Sequence, residues 1–146
     1  MLPPFIEAYL PPAEDGWLPR AILFVSALAF TNTVGNFVNT RLSRECYDVE
    51  ARSGKITPLV SRLFGTWTVM SAVVRVYCAY NIRNKPIYDV TIWSYAIALF
   101  HFTSEMFVFR SAQLNRATMW PCIIASSLLS WMVYEYENYL GVPLVR

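Results

Sequence analysis

A histidine and a carboxylate one helical turn apart are the residues of this chain best suited to chemistry. His101 and Glu105 are four positions apart in an otherwise apolar stretch, so a helix would place them on one face. Such a pair could act as an acid and a base, or could supply two ligands to a metal. A metal site would need further ligands, and His101 is the one histidine of the 146 residues. Structural pairing is therefore favoured over metal binding, and we expect no metal and no cofactor.

Further polar residues interrupt the apolar stretches, where each one carries a cost in free energy. The polar set comprises Asn32, Asn36, Arg62, Thr66, Thr68, Arg75, His101, Ser104 and Glu105. At 1.5 Å per residue most of them fall at one level, whereas Arg75 lies roughly 12 Å deeper than Glu105. Arg62 could therefore reach Glu105, and we expect Arg75 to snorkel or to bind backbone carbonyls.

Two interpretations of this polar layer stay open. Amide and hydroxyl side chains hydrogen-bond across helices in membranes and so fix a bundle, and pairs of small residues such as Ser61 and Gly65 favour close packing. The same layer could instead form a pocket for the hydroxyl group of an apolar ligand or dock a partner helix. Interhelical bonding is the favoured interpretation, and the two are compatible.

The elements that must position these residues are membrane-spanning helices. Hydrophobic residues make up 55% of the chain and charged residues only 15%, with a mean hydropathy of +0.35, which disfavours a soluble domain. Four windows approach the 20 apolar residues that a bilayer requires. The sequence predicts an all-α, four-helix transmembrane bundle with spans at about 21–38, 63–82, 90–109 and 119–139, within a domain at 20–139. Residues 1–19 and 140–146 are predicted tails, and 41–52 could form an interfacial helix.

Composition also excludes several classes of protein. Cys46, Cys78 and Cys122 form no CxxC pair, so we expect free thiols rather than a zinc site or a disulfide framework. The five glycines are scattered, and no glycine-rich phosphate turn follows a strand, which argues against a nicotinamide dehydrogenase. A single histidine cannot supply the histidine-rich boxes of a di-iron oxidase. A net charge of +2 gives no indication of nucleic-acid binding.

The distribution of basic residues predicts the orientation. The first and third connections carry seven arginines and lysines, namely Arg41, Arg44, Arg52, Lys55, Arg62, Arg110 and Arg116. The opposite side carries four, which are Arg20, Arg83, Lys85 and Arg146. The positive-inside rule therefore predicts cytosolic first and third connections, with both termini on the other side.

Three strings of residues resemble a known family. They are FTNTVGNF from Phe30, SRLFGTWTVMSAVVRVYCAYNI from Ser61 and ALFHFTSEMFVFR from Ala98. In this order and spacing they resemble the ergosterol biosynthetic protein 28 family. The positions that match the family's motifs are Arg62, Phe64, Gly65, Trp67, Thr68, Arg75, His101, Phe102, Ser104 and Glu105. The resemblance extends from Gly16 to about Tyr139, with Ser61 where the family usually has alanine and Gly35 where glutamine is common.

The resemblance implies a multi-pass protein of the endoplasmic-reticulum membrane without catalytic activity. It implies a scaffold that tethers three enzymes, a sterol C-4 methyl oxidase, a decarboxylating 3-hydroxysteroid dehydrogenase and a 3-keto sterol reductase. A homo-oligomer and contacts with membrane lipid stay open. The alternative from the residues themselves is a membrane sterol-processing enzyme, such as an isomerase with His101 and Glu105 as acid and base.

Overall fold

The computed structural model describes Glu7 and residues 9–144, and all regular structure in that part of the chain is helical. After a 3₁₀ turn at Ala13–Asp15, the helices are α1 (Leu18–Val38), α2 (Arg41–Cys46), α3 (Asp48–Arg52), α4 (Pro58–Tyr80), α5 (Lys85–Phe107), α6 (Arg116–Tyr134) and α7 (Tyr136–Leu140). Residues 1–6, 8, 145 and 146 lie outside the described part. They belong to the two predicted tails.

Local capping signals explain where the long helices begin. Thr57, Asn84 and Asn115 each accept a hydrogen bond from a backbone N–H in the first turn of α4, α5 and α6. Proline follows at the first or second position of α1, α4 and α5, where its missing N–H costs nothing. Each long helix therefore starts a few residues before the span predicted by hydropathy, because a hydropathy window does not register caps. The predicted interfacial helix is two short helices, α2 and α3, joined at Tyr47.

The long helices pack as two pairs, α1 with α4 and α5 with α6, and α4 joins the pairs through α5. One buried cluster lies between them and includes Ile22, Cys78, Tyr88, Tyr95 and Met132. A smaller cluster lies beneath α2 and α3 and comprises Cys46, Tyr47, Ile56, Phe102 and Ala112.

The outward faces of the bundle are as apolar as its interior. Phe24, Met70, Trp93 and Phe100 are each more than 60% exposed. A helix that is hydrophobic all round is typical of a membrane span. α1, α4 and α6 are long and apolar enough to cross a bilayer, which places the chain among membrane proteins.

The fourth predicted span does not meet the same measure. α5 has 23 residues, as α4 does, but it is not among the three helices that qualify. Tyr88, Asp89, Tyr95, His101 and Glu105 lower its hydropathy. The structure therefore supports three candidate spans, and the count of four stays a prediction.

Hydrogen bonds tie the connections together at each end of the bundle. At one end Asp48 Oδ1 accepts from the backbone N–H of Gln113 at 2.9 Å, and Asn115 Nδ2 donates to the Glu45 carbonyl at 3.2 Å. At the other end Arg83 pairs with Asp15 at 2.9 Å, and the Tyr139 hydroxyl donates to the Asp15 carbonyl. The first and third connections therefore share one end, the basic end, and the second connection shares the other end with the N-terminal segment and α7.

Candidate functional site

The predicted polar layer contains a compact node at the basic end, made by Asn36 of α1, Ser43 of α2 and Ser61 of α4. The Asn36 Oδ1 atom accepts from the Ser43 hydroxyl at 2.5 Å and from the Ser61 hydroxyl at 3.1 Å. The Asn36 Nδ2 atom donates to the Asn32 carbonyl and to Asn32 Oδ1 at 2.9 and 2.8 Å. All three node residues are buried. The polar groups of the node already have hydrogen-bond partners within the protein. The node therefore joins helices rather than forming a ligand site.

Close approach of α1 and α4 extends this junction. The Thr33 hydroxyl donates to the Gly65 carbonyl at 3.2 Å across the two helices. A Cβ atom at Gly65 would lie 3.0 Å from the Phe37 ring and 3.2 Å from the Asn36 Cβ atom. Glycine at this position therefore permits the contact, as small residues do between membrane helices.

Three predicted members of the layer do not join this network. Arg62 and Thr66 are exposed, and the Thr66 hydroxyl donates to the Arg62 carbonyl of its own helix. The half-buried Thr68 likewise donates to the Phe64 carbonyl at 2.8 Å. Depth alone put these residues in the layer, but depth does not give the direction in which a side chain leaves the helix. Arg62 could reach Glu105 by depth, but among the described residues Glu105 pairs with His101.

A second group of polar residues joins the link helices to α5. The Tyr47 hydroxyl lies 2.7 Å from His101 Nε2, and His101 Nδ1 lies 3.9 Å from Glu105 Oε1. The other Glu105 oxygen accepts from the Ser111 hydroxyl. His101 and Glu105 are therefore on one face, as predicted, and each is held from outside its own helix. Ser104 is apart from them, because its hydroxyl donates to the His101 carbonyl.

The two buried link residues at this group, Cys46 and Tyr47, resist ionisation. Burial raises the pKa of the Tyr47 phenol well above its ordinary range, so Tyr47 is neutral and able to donate to the imidazole. Burial also raises the pKa of the neighbouring Cys46 thiol to about 12.

The three cysteines are free, as predicted. In the described part no three metal-binding side chains lie together.

Arg75 is buried between α4 and α5, away from Glu105. Its Nε and Nη2 atoms donate to the hydroxyl and the carbonyl of Ser94 at 3.2 and 3.3 Å, and its Cζ atom lies 4.0 Å from the Tyr95 ring centroid. Of the two arrangements predicted for Arg75, the structure has the bond to a backbone carbonyl, and the residue is only 7% exposed.

Sequence reasoning missed several members of these groups, which are Ser43, Tyr47, Tyr95 and Ser111. Ser43 and Tyr47 are four positions apart in the predicted interfacial helix, a spacing that puts both on one face toward the bundle. Tyr95 follows Arg75's partner Ser94 directly, but no pattern in the sequence places it against an arginine of another helix.

Comparison with known proteins identifies the family. The model of the family described as "Erg28 like protein" matches residues 18–130. Ergosterol biosynthetic protein 28 of Candida albicans is 36% identical over 137 residues, covering 94% of this chain and 98% of the relative. The protein of the same name in Saccharomyces cerevisiae is 37% identical over 128 residues, covering 87% and 85%. A mouse relative, Ergosterol biosynthetic protein 28 homolog, is 37% identical over 126 residues, covering 86% and 89%.

The chain belongs to the Erg28 family. The matched residues include α1 to α5 and most of α6, so the Asn36 node, the His101 group and Arg75 all lie within the Erg28 part of the chain. The resemblance read from the three strings is confirmed. No solved structure matches this Erg28 chain significantly.

Proposed function

We propose that this Erg28 chain is a non-catalytic scaffold of sterol biosynthesis in the endoplasmic-reticulum membrane. Its partners would be the C-4 methyl oxidase, the decarboxylating 3-hydroxysteroid dehydrogenase and the 3-keto sterol reductase of sterol C-4 demethylation. The observation that carries the proposal is family membership over most of the chain, with relatives named Ergosterol biosynthetic protein 28. The enzyme set and the location come from the family resemblance and are what the experiment must test.

The scaffold would be a four-helix membrane domain, with α5 as the fourth span. The connections at the two ends of α5 are tied to opposite ends of the bundle, so α5 extends from one end to the other, as the three apolar helices beside it do. Trp93, Ile97 and Phe100 of α5 are exposed on its outer face, which suits contact with lipid. The buried or half-buried polar side chains of α5 at Tyr88, His101 and Ser104 make hydrogen bonds to protein atoms, which lowers the cost of placing them in a membrane. The Tyr95 hydroxyl is the exception among the described residues.

The hydrogen bonding supports a structural rather than a catalytic role. The Asn36 amide is saturated by bonds within the bundle. His101 is held between the Tyr47 hydroxyl and Glu105, an arrangement that anchors the link helices to α5. A tether needs no reaction of its own, because adjacent enzymes raise the local concentration of an intermediate that would otherwise dilute in the bilayer.

Affinity purification in mild detergent tests this proposal. The tagged chain should bring down the three enzymes, and the purified chain alone should convert no sterol. The double variant His101→Ala and Glu105→Ala should reduce the yield of co-purified enzymes or lower the stability of the bundle. Recovery of the chain alone, or only of further copies of itself, would contradict the tether.

The alternative, a sterol-processing enzyme, is favoured by one observation. His101 and Glu105 line an open groove of about 500 Å³ with Tyr47, Phe64 and Trp67, so an apolar molecule could lie against an acid and a base. Isomerisation of a sterol double bond by the isolated chain, lost in Glu105→Gln, would establish the enzyme and overturn the scaffold.

A further inference from the structure

An apolar cavity of about 440 Å³ lies between α1, α4, α5 and α6 and is bordered at the basic end by α2. Asn36, Ser43 and Ser61 are not among its lining residues, although Asn32, which accepts from Asn36, is. Alanines on three helices, Ala29, Ala98 and Ala125, line it and leave space that larger side chains would fill. Phe64, Trp67 and Phe102 supply aromatic surface in the same wall. Its size and lining are those of a pocket for a small apolar molecule, which commonly occupies 300–1,000 Å³.

Among the hydrogen-bond donors in the wall of this cavity, Arg75 of α4 and Tyr95 of α5 are the two buried ones that lie against each other, with the Arg75 Cζ atom 4.0 Å from the Tyr95 ring centroid. Tyr95 is fully buried, and its hydroxyl is the one buried side-chain polar atom in the described part that has no hydrogen-bond partner. A buried hydroxyl without a partner is unfavourable, so each such group in a folded protein requires an explanation, and a bound ligand is one. Arg75 forms no ion pair among the described residues, and its two bonds to Ser94 use only two of its five N–H donors.

The two donors restrict the chemistry of an occupant. Because Arg75 and Tyr95 are adjacent, a guanidinium N–H and a phenol O–H can both donate to one oxygen, and a ketone or a carboxylate oxygen, which has no proton of its own to place, suits two donors best. The remainder of the wall is mostly apolar, and the acid Glu45 lies at the basic end with Arg116, away from Arg75. The occupant is therefore apolar over most of its length and carries an acceptor oxygen at one end.

We propose that this cavity binds a sterol-sized molecule through a keto or carboxylate oxygen held by Arg75 and the Tyr95 hydroxyl. The choice of a sterol skeleton rests on the proposed function, whereas the acceptor oxygen and the apolar body rest on the cavity alone. Flat aromatic and alanine surfaces suit a rigid ring system better than a flexible acyl chain, which loses conformational entropy on binding. A scaffold with such a site would hold an intermediate as well as its enzymes.

Equilibrium binding to the purified full chain in detergent tests the site. The probe is tritiated 5α-cholestan-3-one, and the competitors are unlabelled 5α-cholestane, which lacks oxygen, a steroid 4-carboxylate and palmitate. We expect saturable binding of one ketone per chain, with effective competition by the steroid carboxylate and weak competition by cholestane and palmitate. Absence of saturable binding, equal competition by cholestane, or stronger competition by palmitate would overturn the proposal.

Substitutions distinguish the contribution of a hydrogen-bond donor to binding from the contribution of the cavity volume. Tyr95→Phe removes one hydrogen bond and should weaken ketone binding about 2- to 12-fold while leaving cholestane competition unchanged. Ala29→Phe, which fills the cavity, should abolish binding of both. Tyr77→Phe is the matched control, because Tyr77 lies on α4 and is 60% exposed. Equal affinity of Tyr95→Phe and the unsubstituted chain would contradict the assigned oxygen contact.

Two readouts distinguish a failed site from other failures. Tyr95→Phe removes an unpartnered hydroxyl, so its thermal unfolding temperature in detergent should be unchanged or raised, which shows that the variant folds. Co-purification of the sterol enzymes tests the scaffold without reference to the cavity. If the unsubstituted chain binds no ketone but still brings down the enzymes, the site alone is overturned. If it binds the ketone but brings down no enzyme, the scaffold alone is overturned.

Discussion

At the scale of single residues, the polar side chains of this bundle divide into satisfied and unsatisfied groups. Asn36, Ser43 and Ser61 saturate one another, whereas the Tyr95 hydroxyl has no partner in the described part of the chain. Sequence reasoning could identify Asn36 and Arg75 because polar residues in apolar stretches are conspicuous. It could not separate the two groups, because satisfaction depends on which residue of another helix lies opposite.

Replacing the central amide of the node should weaken the bundle. Asn36→Leu keeps much of the volume but removes the acceptor of the Ser43 and Ser61 hydroxyls. At roughly 0.6–1.7 kcal/mol for each interhelical bond, we expect a loss of about 1–3 kcal/mol in the free energy of unfolding. Unfolding of the chain in mixed micelles with increasing SDS measures it.

Thr31→Ala is the control on the same helix, because the exposed Thr31 hydroxyl donates only to the Ala27 carbonyl of α1. It should leave the free energy of unfolding within about 0.5 kcal/mol of the unsubstituted chain. Equal stability of Asn36→Leu and Thr31→Ala would show that the node does not hold the helices together.

Burial should make the Cys46 thiol react slowly with alkylating reagents. Its pKa is about 12 rather than the ordinary 9.0, so roughly a thousandfold less thiolate is present near pH 8. Alkylation by N-ethylmaleimide, mapped by mass spectrometry, should be slower by at least that order in the folded chain than in SDS. Because the raised pKa opposes ionisation, this thiol's contribution to stability is complete below about pH 9 and declines as the pH rises toward 12.

A cysteine at the neighbouring exposed position is the control for that measurement. Glu45→Cys should react at a similar rate in the folded chain and in SDS. Fast alkylation of Cys46 in the folded chain at pH 8 would contradict the burial of its side chain between α2 and the long helices.

At the scale of elements, sequence and structure agree on where the helices are and disagree on which way some of them face. The four predicted apolar windows fall on α1, α4, α5 and α6, because length and composition alone identify a long apolar helix. Arg62 and Thr66 were placed inside but face outward. A helix that is apolar all round gives no periodic pattern from which its inner face could be chosen.

The link between α1 and α4 should loosen when its contact with α5 is removed. Tyr47→Phe keeps the ring against Phe64, whose centroid is 5.5 Å away, and deletes only the hydroxyl that meets His101. Loss of about 1 kcal/mol should speed amide hydrogen exchange in residues 41–52 roughly fivefold. Mass spectrometry of peptic fragments measures the exchange.

Tyr134→Phe provides the comparison, because Tyr134 is 80% exposed at the end of α6. Its exchange in residues 41–52 should equal that of the unsubstituted chain. If Tyr47→Phe also exchanges at the unsubstituted rate, the Tyr47–His101 contact does not anchor the link, and His101 is left free for another role.

At the scale of the whole molecule, the two tied ends of the bundle define its topology. The basic end holds the first and third connections, and the other end holds the second connection, the N-terminal segment and α7. The sequence could predict this up-and-down arrangement from the number of spans, but the side of the membrane depends on the charge asymmetry between the ends.

Glycosylation mapping should place the basic end in the cytosol. A short acceptor loop inserted at the exposed Gly54 should stay unmodified, whereas the same loop joined beyond residue 144 should be glycosylated in microsomes. Gly54 is suited to the insertion because a Cβ atom added there would meet no other residue within 4 Å. Glycosylation at Gly54 and not at the C-terminus would show that the basic end faces the lumen, opposite to the predicted orientation.

The shortest long helix sets the hydrophobic match between this protein and its surroundings. With 19 residues, α6 extends roughly 28 Å, compared with roughly 31 Å for α1. The bilayer of the endoplasmic reticulum is about 27 Å thick in its hydrocarbon region, and that of the plasma membrane about 32–33 Å. A thicker, sterol-rich bilayer would have to thin around α6, so the length of this helix is a better match to the membrane proposed for the chain than to the plasma membrane.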